Sequence, residues 1–180
     1  MSRDGCRDTI ADELAPILSG IHPGQLDRLT ETLLSATRVF GAGAGRSGLM
    51  MKAFIMRLMQ LGLRAYAVGE TTTPAAAPGD WLIIGSSSGS TATMLALAER
   101  AKAAGAGLAV LTANPGSPLG RMADLVVEIP VATAANAARL RLGSPFELAL
   151  LLALESLVPV LMAGLGVDEA SMMRRHANLE

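Results

Sequence analysis

Two turns rich in glycine and serine contain the residues best suited to bind a charged small molecule. The first, at 41–48, reads Gly-Ala-Gly-Ala-Gly-Arg-Ser-Gly and follows the apolar residues Val39 and Phe40. The second, at 86–91, reads Ser-Ser-Ser-Gly-Ser-Thr and follows the apolar run at 81–84. A helix that begins after such a turn presents free N–H groups and a positive dipole end, which attract anions. Because the carboxyl ends of parallel strands meet at one crevice, the two turns predict a single site for a phosphorylated small molecule.

The second turn contains more hydroxyl groups than a helix start requires. One serine or threonine is enough to cap a helix, whereas five of the six residues at 86–91 carry a hydroxyl. We therefore interpret this turn as a phosphate-binding loop of uncharged donors rather than as a simple N-cap. The candidate binding residues from both turns are Arg46, Ser47, Ser86, Ser87, Ser88, Gly89, Ser90 and Thr91.

Two further residues are candidates for proton transfer, and each has a structural alternative. Glu147 lies three residues after Ser144, so it is either a general base or the second half of a capping box. His176 is the fifth residue from the end of the sequence. It is either part of a frayed terminus or a group that reaches into the site of a neighbouring subunit. The other histidine, His22, precedes Pro23 and is typical of a helix start.

A dinucleotide-binding site is the main alternative for the first turn. Gly43, Gly45 and Gly48 match the pattern G-x-G-x-x-G, and Glu70 follows at about the expected distance. A chain of 180 residues is short for a dehydrogenase with its own substrate domain. The serine turn also supplies a phosphate site that this pattern does not require. We therefore favour a phosphorylated small molecule as the ligand.

Composition narrows the class of protein. The net charge is −1 and the isoelectric point is about 6.1, so no basic surface for a nucleic-acid backbone is expected. Hydrophobic residues make up 51% of the chain, the mean hydropathy is +0.41 and there are ten methionines. This excess predicts a buried interface in an oligomer. A lone cysteine, Cys6, and a start without an apolar signal core predict a protein of the reducing cytoplasm without a metal site.

The stretch at 146–167 is the one segment with the composition of a membrane span. It contains Glu147, Glu155 and Pro159. A carboxylate near the middle of a bilayer costs about 2.5–3.5 kcal/mol on insertion scales. We therefore expect a buried core or interface helix, and no membrane partner.

The periodicity of apolar residues predicts an α/β fold. Helical spacing at 10–21 and 26–33 indicates two leading helices within 1–36. Short apolar runs that alternate with helices then predict a five-stranded parallel sheet in a three-layer α/β/α sandwich over 37–166. A tail at 167–180 completes a single domain, 1–180, and contributes to a site. The expected strands are 38–42, 65–68, 82–84, 108–112 and 125–129. The expected core helices are 47–61, 90–104 and one from near Pro145. Proline and glycine break the regular structure at 115–118, and a loop or short helix is expected at 132–142.

These motifs together resemble the sugar isomerase (SIS) domain and, within it, the 6-phospho-3-hexuloisomerase family. The similar blocks are Gly-Ala-Gly-Arg-Ser-Gly-Leu at 43–49, Val-Gly-Glu-Thr-Thr-Thr-Pro at 68–74, the serine turn, Gly-Ser-Pro-Phe-Glu at 143–147 and Arg-His-Ala-Asn-Leu-Glu at 175–180. The serine turn is typical of the whole superfamily, whereas the second block and the C-terminal block are specific to the narrower family. The chain departs from the family pattern at Ser90, where relatives usually have Glu, at Pro145, and at 140–142.

The resemblance implies a flavodoxin-like SIS topology and an enzyme that interconverts 3-hexulose 6-phosphate and fructose 6-phosphate in ribulose monophosphate formaldehyde assimilation. It implies Glu147 as the base that carries a proton between C2 and C3 through an enediol, without a metal or redox cofactor. His176 from a neighbouring subunit would assist, in a cytoplasmic homotetramer. Two alternatives stay open: an isomerase of another phosphosugar, such as an arabinose 5-phosphate type, and a non-catalytic phosphosugar-binding module.

Overall fold

A computed structural model describes residues 3–131 and 144–179, with side chains described from Ile10 and Pro145 onward in the two ranges. The helices are α1 Arg3–Ser19, α2 Pro23–Ser35, α3 Gly45–Gln60, α4 Ala92–Ala103, α5 Pro118–Met122, α6 Ser144–Leu165 and α7 Glu169–Arg174. The strands are β1 Val39–Gly43, β2 Ala65–Ala67, β3 Trp81–Gly85, β4 Gly107–Thr112 and β5 Leu125–Glu128. The predicted loop or short helix at 132–142 lies outside the described residues.

All five strands are parallel and follow the order β2-β1-β3-β4-β5. This confirms the predicted five-stranded parallel sheet of flavodoxin-like topology. Gly43 pairs with Gly85, and Gly85 pairs with Leu111. The carboxyl ends of β1, β3 and β4 therefore lie at one level, so the turns that follow them are neighbours.

Hydrophobic side chains pack on both faces of the sheet, which makes the three predicted layers. Successive residues of a strand point to opposite faces. Ile83 therefore lies in one hydrophobic cluster with side chains of α1, α2, α3 and α6, whereas Leu82 and Ile84 lie in another with side chains of α4 and α5. The first cluster also contains Val39, Ala109, Leu111 and Val127, and the second contains Phe40, Leu108 and Val110.

Helix α6 forms much of the larger core cluster. Within the described residues, α6 is the one helix long and apolar enough to cross a bilayer. Its inner face is buried against α1, α2 and α3, with Phe146 and Leu150 almost completely covered, as expected for a core helix. Its outer face exposes Leu152 and Val160.

Two short helices correct the element prediction. The sequence analysis assigned no helix after the break at 115–118 or in the tail at 167–180, but α5 begins at Pro118 and α7 lies in the tail. Each begins at a side-chain cap: Ser117 Oγ accepts the Gly120 N–H at 3.2 Å, and Asp168 Oδ1 accepts the Ser171 N–H at 2.8 Å. Helices of five and six residues are too short to produce a hydrophobic period, so only their caps mark them in the sequence.

The starts of three other helices test the predictions in detail. Helix α3 begins at Gly45, before the predicted Ser47, and α4 begins at Ala92 rather than at Ser90 because the Thr91 backbone is extended. The assignment of His22 to a helix start is confirmed, since its Nδ1 accepts the Gly24 N–H at 3.1 Å.

Candidate active site

The two predicted turns meet at the carboxyl edge of the sheet and enclose a cavity of about 270 Å³. Strand β1 ends beside β3, so the turn after Gly43 lies against the turn after Gly85. The cavity is lined by Ala44, Ser47, Gly85, Ser86, Ser87, Ser88 and Thr91. Five of the predicted binding residues are thus brought together from segments about forty residues apart.

The helices that start at this cavity have no side-chain caps. Neither the N-cap of α3, Ala44, nor the N-cap of α4, Thr91, makes a side-chain hydrogen bond to its helix. By contrast, the N-caps of α2, α5 and α7 do, through His22, Ser117 and Asp168. The first N–H groups of α3 and α4 therefore remain available, and both helix dipoles favour an anion in the cavity.

The first turn depends on glycines for its shape. A Cβ atom on Gly43 would lie 2.8 Å from the Gly48 nitrogen, and one on Gly48 would overlap the Gly43 carbonyl. Glycine at both positions lets α3 begin directly against the end of β1. This close approach places Ser47, which is almost completely buried, at the wall of the cavity.

The predicted binding residues of the second turn fall into two groups, those that line the cavity and those that do not. Ser86, Ser87 and Ser88 line the cavity, but Gly89 and Ser90 do not. Gly89 has a φ of +60°, and its N–H donates to the Ser86 carbonyl at 3.2 Å, so it shapes the turn. Ser90 is exposed, and its hydroxyl lies 3.2 Å from the Ser88 hydroxyl.

The segment after β4 supports the serine turn from behind, and the sequence analysis missed it. The Thr112 hydroxyl and the Ala113 N–H both donate to the Ser87 carbonyl at 3.1 Å. The Leu119 N–H donates to the Gly89 carbonyl at 3.0 Å. Since β4 is the neighbour of β3, the position of Thr112 at a strand end was the available signal.

Glu147 lies in the first turn of α6 and contacts Arg46, which lies between the cavity residues Ala44 and Ser47 at the margin of the cavity. The Arg46 Nε atom, next to the cavity residue Ser47, is 2.5 Å from Glu147 Oε2. Glu147 Oε2 is buried and has no hydrogen bond within the described residues, so its contact with Arg46 is that of an ion pair. One turn further along α6, Leu150 packs close to Gly85 in the cavity wall. The side chain of Ser144 is outside the description, so the capping-box alternative for Glu147 stays a prediction.

The charges at this margin are unequally exposed. The Glu147 side chain is 13% exposed, whereas that of Arg46 is 57% exposed. Arg46 therefore reaches a largely buried carboxylate from the solvent side. A largely buried carboxylate in contact with the first turn of α3 is a candidate to move a proton on a bound molecule.

His176 does not lie at this cavity. It is exposed, and it borders a second cavity of about 360 Å³ between α3, α6 and α7. That cavity is lined by Arg57, Gln60, Glu155, Val158, Pro159, Met162, Glu169, Met172, Met173 and His176. At 1.5 Å per residue, Glu155 and Met162 are about 12 Å and about 22 Å beyond Glu147 along α6. Within one chain, His176 therefore lies far from Glu147.

Glu70, the acidic residue of the dinucleotide pattern, forms an ion pair with Lys52. The Glu70 carboxylate accepts a hydrogen bond from Lys52 Nζ at 2.6 Å, and this bond and charge hold the pKa of Glu70 below its ordinary value. Residues 3–131 and 144–179 contain no group of three or more His, Cys, Asp or Glu placed to hold a metal ion.

Comparison with known proteins gives relatives over nearly the full length. The family model of the SIS domain matches residues 32–155. The 3-hexulose-6-phosphate isomerase of Bacillus subtilis (strain 168) is 41% identical over 95% of this chain and 95% of its own. That of Mycobacterium gastri is 41% identical over 95% of this chain and 88% of its own.

Solved structures of other proteins share the fold of this chain. A Methanococcus jannaschii protein, for which a function of 3-hexulose-6-phosphate isomerase was inferred, has a TM-score of 0.86 and 32% identity, covering 96% of this chain and 98% of its own. The NanR protein of Vibrio vulnificus, complexed with ManNAc-6P, has a TM-score of 0.73 over 96% of this chain and 64% of its own. At 23% identity, the second likeness shows the fold alone. The chain therefore belongs to the SIS-domain family and, within it, to the 3-hexulose-6-phosphate isomerase (6-phospho-3-hexuloisomerase) family, as its sequence blocks predict.

Proposed function

We propose that this chain interconverts D-arabino-3-hexulose 6-phosphate and fructose 6-phosphate through an enediol. The observation that carries the proposal is that two uncapped helix starts share one cavity, while the largely buried carboxylate of Glu147 contacts Arg46, next to the cavity residue Ser47. The identity of 41% to two 3-hexulose-6-phosphate isomerases over 95% of the chain supports the same reaction.

The phosphate group would bind in the serine-lined cavity. The hydroxyls of Ser86, Ser88 and Thr91 and the first N–H groups of α4 provide uncharged donors to its oxygens. Ser47 is placed for the phosphate or a sugar hydroxyl, and Arg46 adds a mobile positive charge at the margin. In this arrangement Gly89 and Ser90 act through the shape of the turn.

The proton transfer needs one base on one face of the sugar. Glu147 removes the proton from C2 of the 3-ketose, and the electrons of the C–H bond form the C2–C3 double bond of the enediol. The carbonyl oxygen at C3 takes up a proton as it becomes a hydroxyl. Glu147 then returns its proton to C3 while the C2 hydroxyl loses its own, which leaves the 2-ketose. All atoms and electrons balance without a redox step.

We assign the proton movement between the two oxygens, or the opening of the sugar ring, to His176 of a neighbouring subunit. Its separation from Glu147 within one chain supports a role across an interface. Exposed apolar side chains on α3 and α6 support such an interface, with Leu49 60% exposed and Met56 48% exposed. The proposed assembly is a homotetramer that acts in the cytoplasm, in ribulose monophosphate formaldehyde assimilation.

The test is direct. Purified protein is mixed with fructose 6-phosphate, and the formation of 3-hexulose 6-phosphate is followed by ¹³C NMR. Arabinose 5-phosphate is offered in a parallel reaction. Formation of the 3-hexulose supports the proposal, whereas turnover of arabinose 5-phosphate alone assigns a different substrate. Binding of both sugars without turnover of either indicates a sensing module.

A further inference from the structure

The segment that follows β4 holds the serine turn in its shape, and one buried hydroxyl is central to it. We propose that Thr112 is a positioning residue for phosphate binding, which fixes the Ser87–Ser88 peptide so that its N–H points into the cavity. The inference rests on the proposed function, since it concerns the affinity of the same cavity for phosphate.

The Thr112 hydroxyl donates one hydrogen bond and accepts another. It donates to the Ser87 carbonyl at 3.1 Å and accepts the Asn114 N–H at 3.1 Å. The residue is completely buried. Its carbonyl accepts the Ile129 N–H at 2.9 Å, so Thr112 is fixed to the sheet on its other side. The hydroxyl therefore connects the serine turn to the rigid strand β4.

Because the peptide is planar, this hydrogen bond also fixes the direction of the next N–H group, that of Ser88. In a planar trans peptide the C=O and the following N–H point in opposite directions. The Ser87 carbonyl points back to Thr112 and Ala113, so the Ser88 N–H points away from β4. Ser87 and Ser88 both line the cavity, and the Ser88 N–H has no acceptor within the described residues. It is thus free for a phosphate oxygen.

The back of the turn is also closely packed. A Cβ atom on Gly89 would overlap Ser117, whose hydroxyl caps α5. The Leu119 N–H holds the Gly89 carbonyl at 3.0 Å. The segment from Thr112 to Leu119 therefore fixes two peptides of the turn, and the turn cannot move back to compensate for a lost hydroxyl.

The experiment compares Thr112→Val, which keeps the shape and removes the hydroxyl, with Thr112→Ser, which keeps the hydroxyl. Thr30→Val is the matched control, because Thr30 is also buried and donates to a backbone carbonyl, that of Leu26, but on α2. For each protein we measure kcat and KM with fructose 6-phosphate and the inhibition constant of inorganic phosphate.

We expect Thr112→Val to raise KM and the inhibition constant of phosphate about tenfold, which corresponds to one lost hydrogen bond, with kcat changed less than about threefold. Thr112→Ser and Thr30→Val stay within about threefold of the parent in all three constants. Thr112→Ala replaces the valine variant if circular dichroism shows that the latter does not fold.

Unchanged phosphate inhibition in Thr112→Val overturns the inference. So does a fall in kcat alone, or an equal loss of affinity in Thr30→Val. If the parent binds phosphate but does not isomerise the sugar, the proposed function fails. The dissociation constants of inorganic phosphate for the same variants, measured by isothermal titration calorimetry, then still test Thr112. A parent that does not bind phosphate overturns both.

Discussion

At the residue scale, Glu147 depends on a contact that links two distant parts of the chain. Its partner Arg46 begins α3, whereas Glu147 begins α6, and the two side chains meet at 2.5 Å. Because Arg46 is mostly exposed, it can leave the carboxylate without unfolding any element.

The first prediction concerns the chemistry of this carboxylate. Glu147→Gln keeps the shape of the side chain but removes the proton acceptor, so we expect kcat to fall about 10²- to 10⁴-fold. The stabilisation of the protein by inorganic phosphate should persist, since the serine turn is intact. Steady-state kinetics and thermal melts measure the two effects. Glu31→Gln, at an exposed position on α2, is the control and should keep full activity. A Glu147→Gln enzyme with most of its turnover would leave Glu147 with a structural role only.

At the element scale, the sequence predicted the strands well because buried parallel strands are short apolar runs bounded by turns. It placed their ends one or two residues away where glycine is the last paired residue, as at Gly43 and Gly85. Glycine has no side chain to contribute to the pattern, so its pairing is not visible in the sequence.

The same limit applies to the candidate site. The meeting of Ser47 with the serine turn was predictable, because both follow strands of one parallel sheet. The hydrogen bond from Thr112 to Ser87 depends on the register of β4 against β3, and the contact of Arg46 with Glu147 depends on the packing of α3 against α6. Neither register nor packing of distant segments is encoded in a local pattern, so these contacts required the structure.

The second prediction follows from the uncapped starts of α3 and α4. A phosphosugar that binds only the folded protein stabilises it, by about 2.7 kcal/mol at 100 times its Kd. For a chain of this length, that is a rise in Tm of roughly 5–10 °C. Fructose 6-phosphate should produce this rise in a thermal melt, whereas fructose and NAD should not. A clear rise with NAD alone would restore the dinucleotide interpretation of the first turn.

The third prediction concerns the ion pair at the other edge of the sheet. Asp80 precedes β3, its side chain is 1% exposed, and it accepts hydrogen bonds from Arg38 Nη2 at 2.6 Å and from the Ala77 N–H at 2.7 Å. Burial raises the pKa of the Asp80 carboxyl, but these hydrogen bonds outweigh burial, so the pKa lies below its ordinary value. The ionised carboxylate therefore stabilises the start of β3.

We expect Asp80→Asn to lower the free energy of unfolding by about 1–3 kcal/mol at pH 7, because buried donors lose a charged acceptor. The contribution of Asp80 is complete above the ordinary aspartate pKa of about 3.9 and is lost as the pH falls through the lower folded value. Urea unfolding should therefore give a constant difference between parent and variant from pH 8 to pH 5, and a smaller one at pH 3. Glu70→Gln, in an exposed ion pair, is the control and should change stability little. A difference that grows on acidification would contradict this account.

At the scale of the whole molecule, the arrangement of α3, α6 and α7 places two surfaces side by side. The start of α3 lines the cavity between the two turns, and the start of α6 contacts α3 there through Glu147 and Arg46. The later turns of both helices line the cavity that His176 borders. Met162, Met172 and Met173 line this second cavity, and methionine adapts well to irregular apolar contacts. Apolar residues are also exposed on α3 and α6, among them Met56 and Val160.

The last prediction tests whether this surface joins two sites. In a symmetric assembly with His176 acting in trans, each active site takes Glu147 from one subunit and His176 from its neighbour. Glu147→Gln and His176→Ala are each expected to be nearly inactive alone. After exchange of equal amounts of the two variants, a site has both native residues in about one case in four. Hybrid assemblies should therefore recover about a quarter of the parent kcat per subunit.

The control mixes the parent with a subunit that carries both substitutions. If each site is shared between two subunits, about a quarter of all sites in this mixture also have both native residues. If both residues served the same chain, this control mixture would keep half of the parent activity and the first mixture would recover none. Native mass spectrometry must show that subunits have exchanged. Exchange without recovery in the first mixture would place His176 outside the neighbouring site, and the apolar surface of α3, α6 and α7 would then need a different explanation.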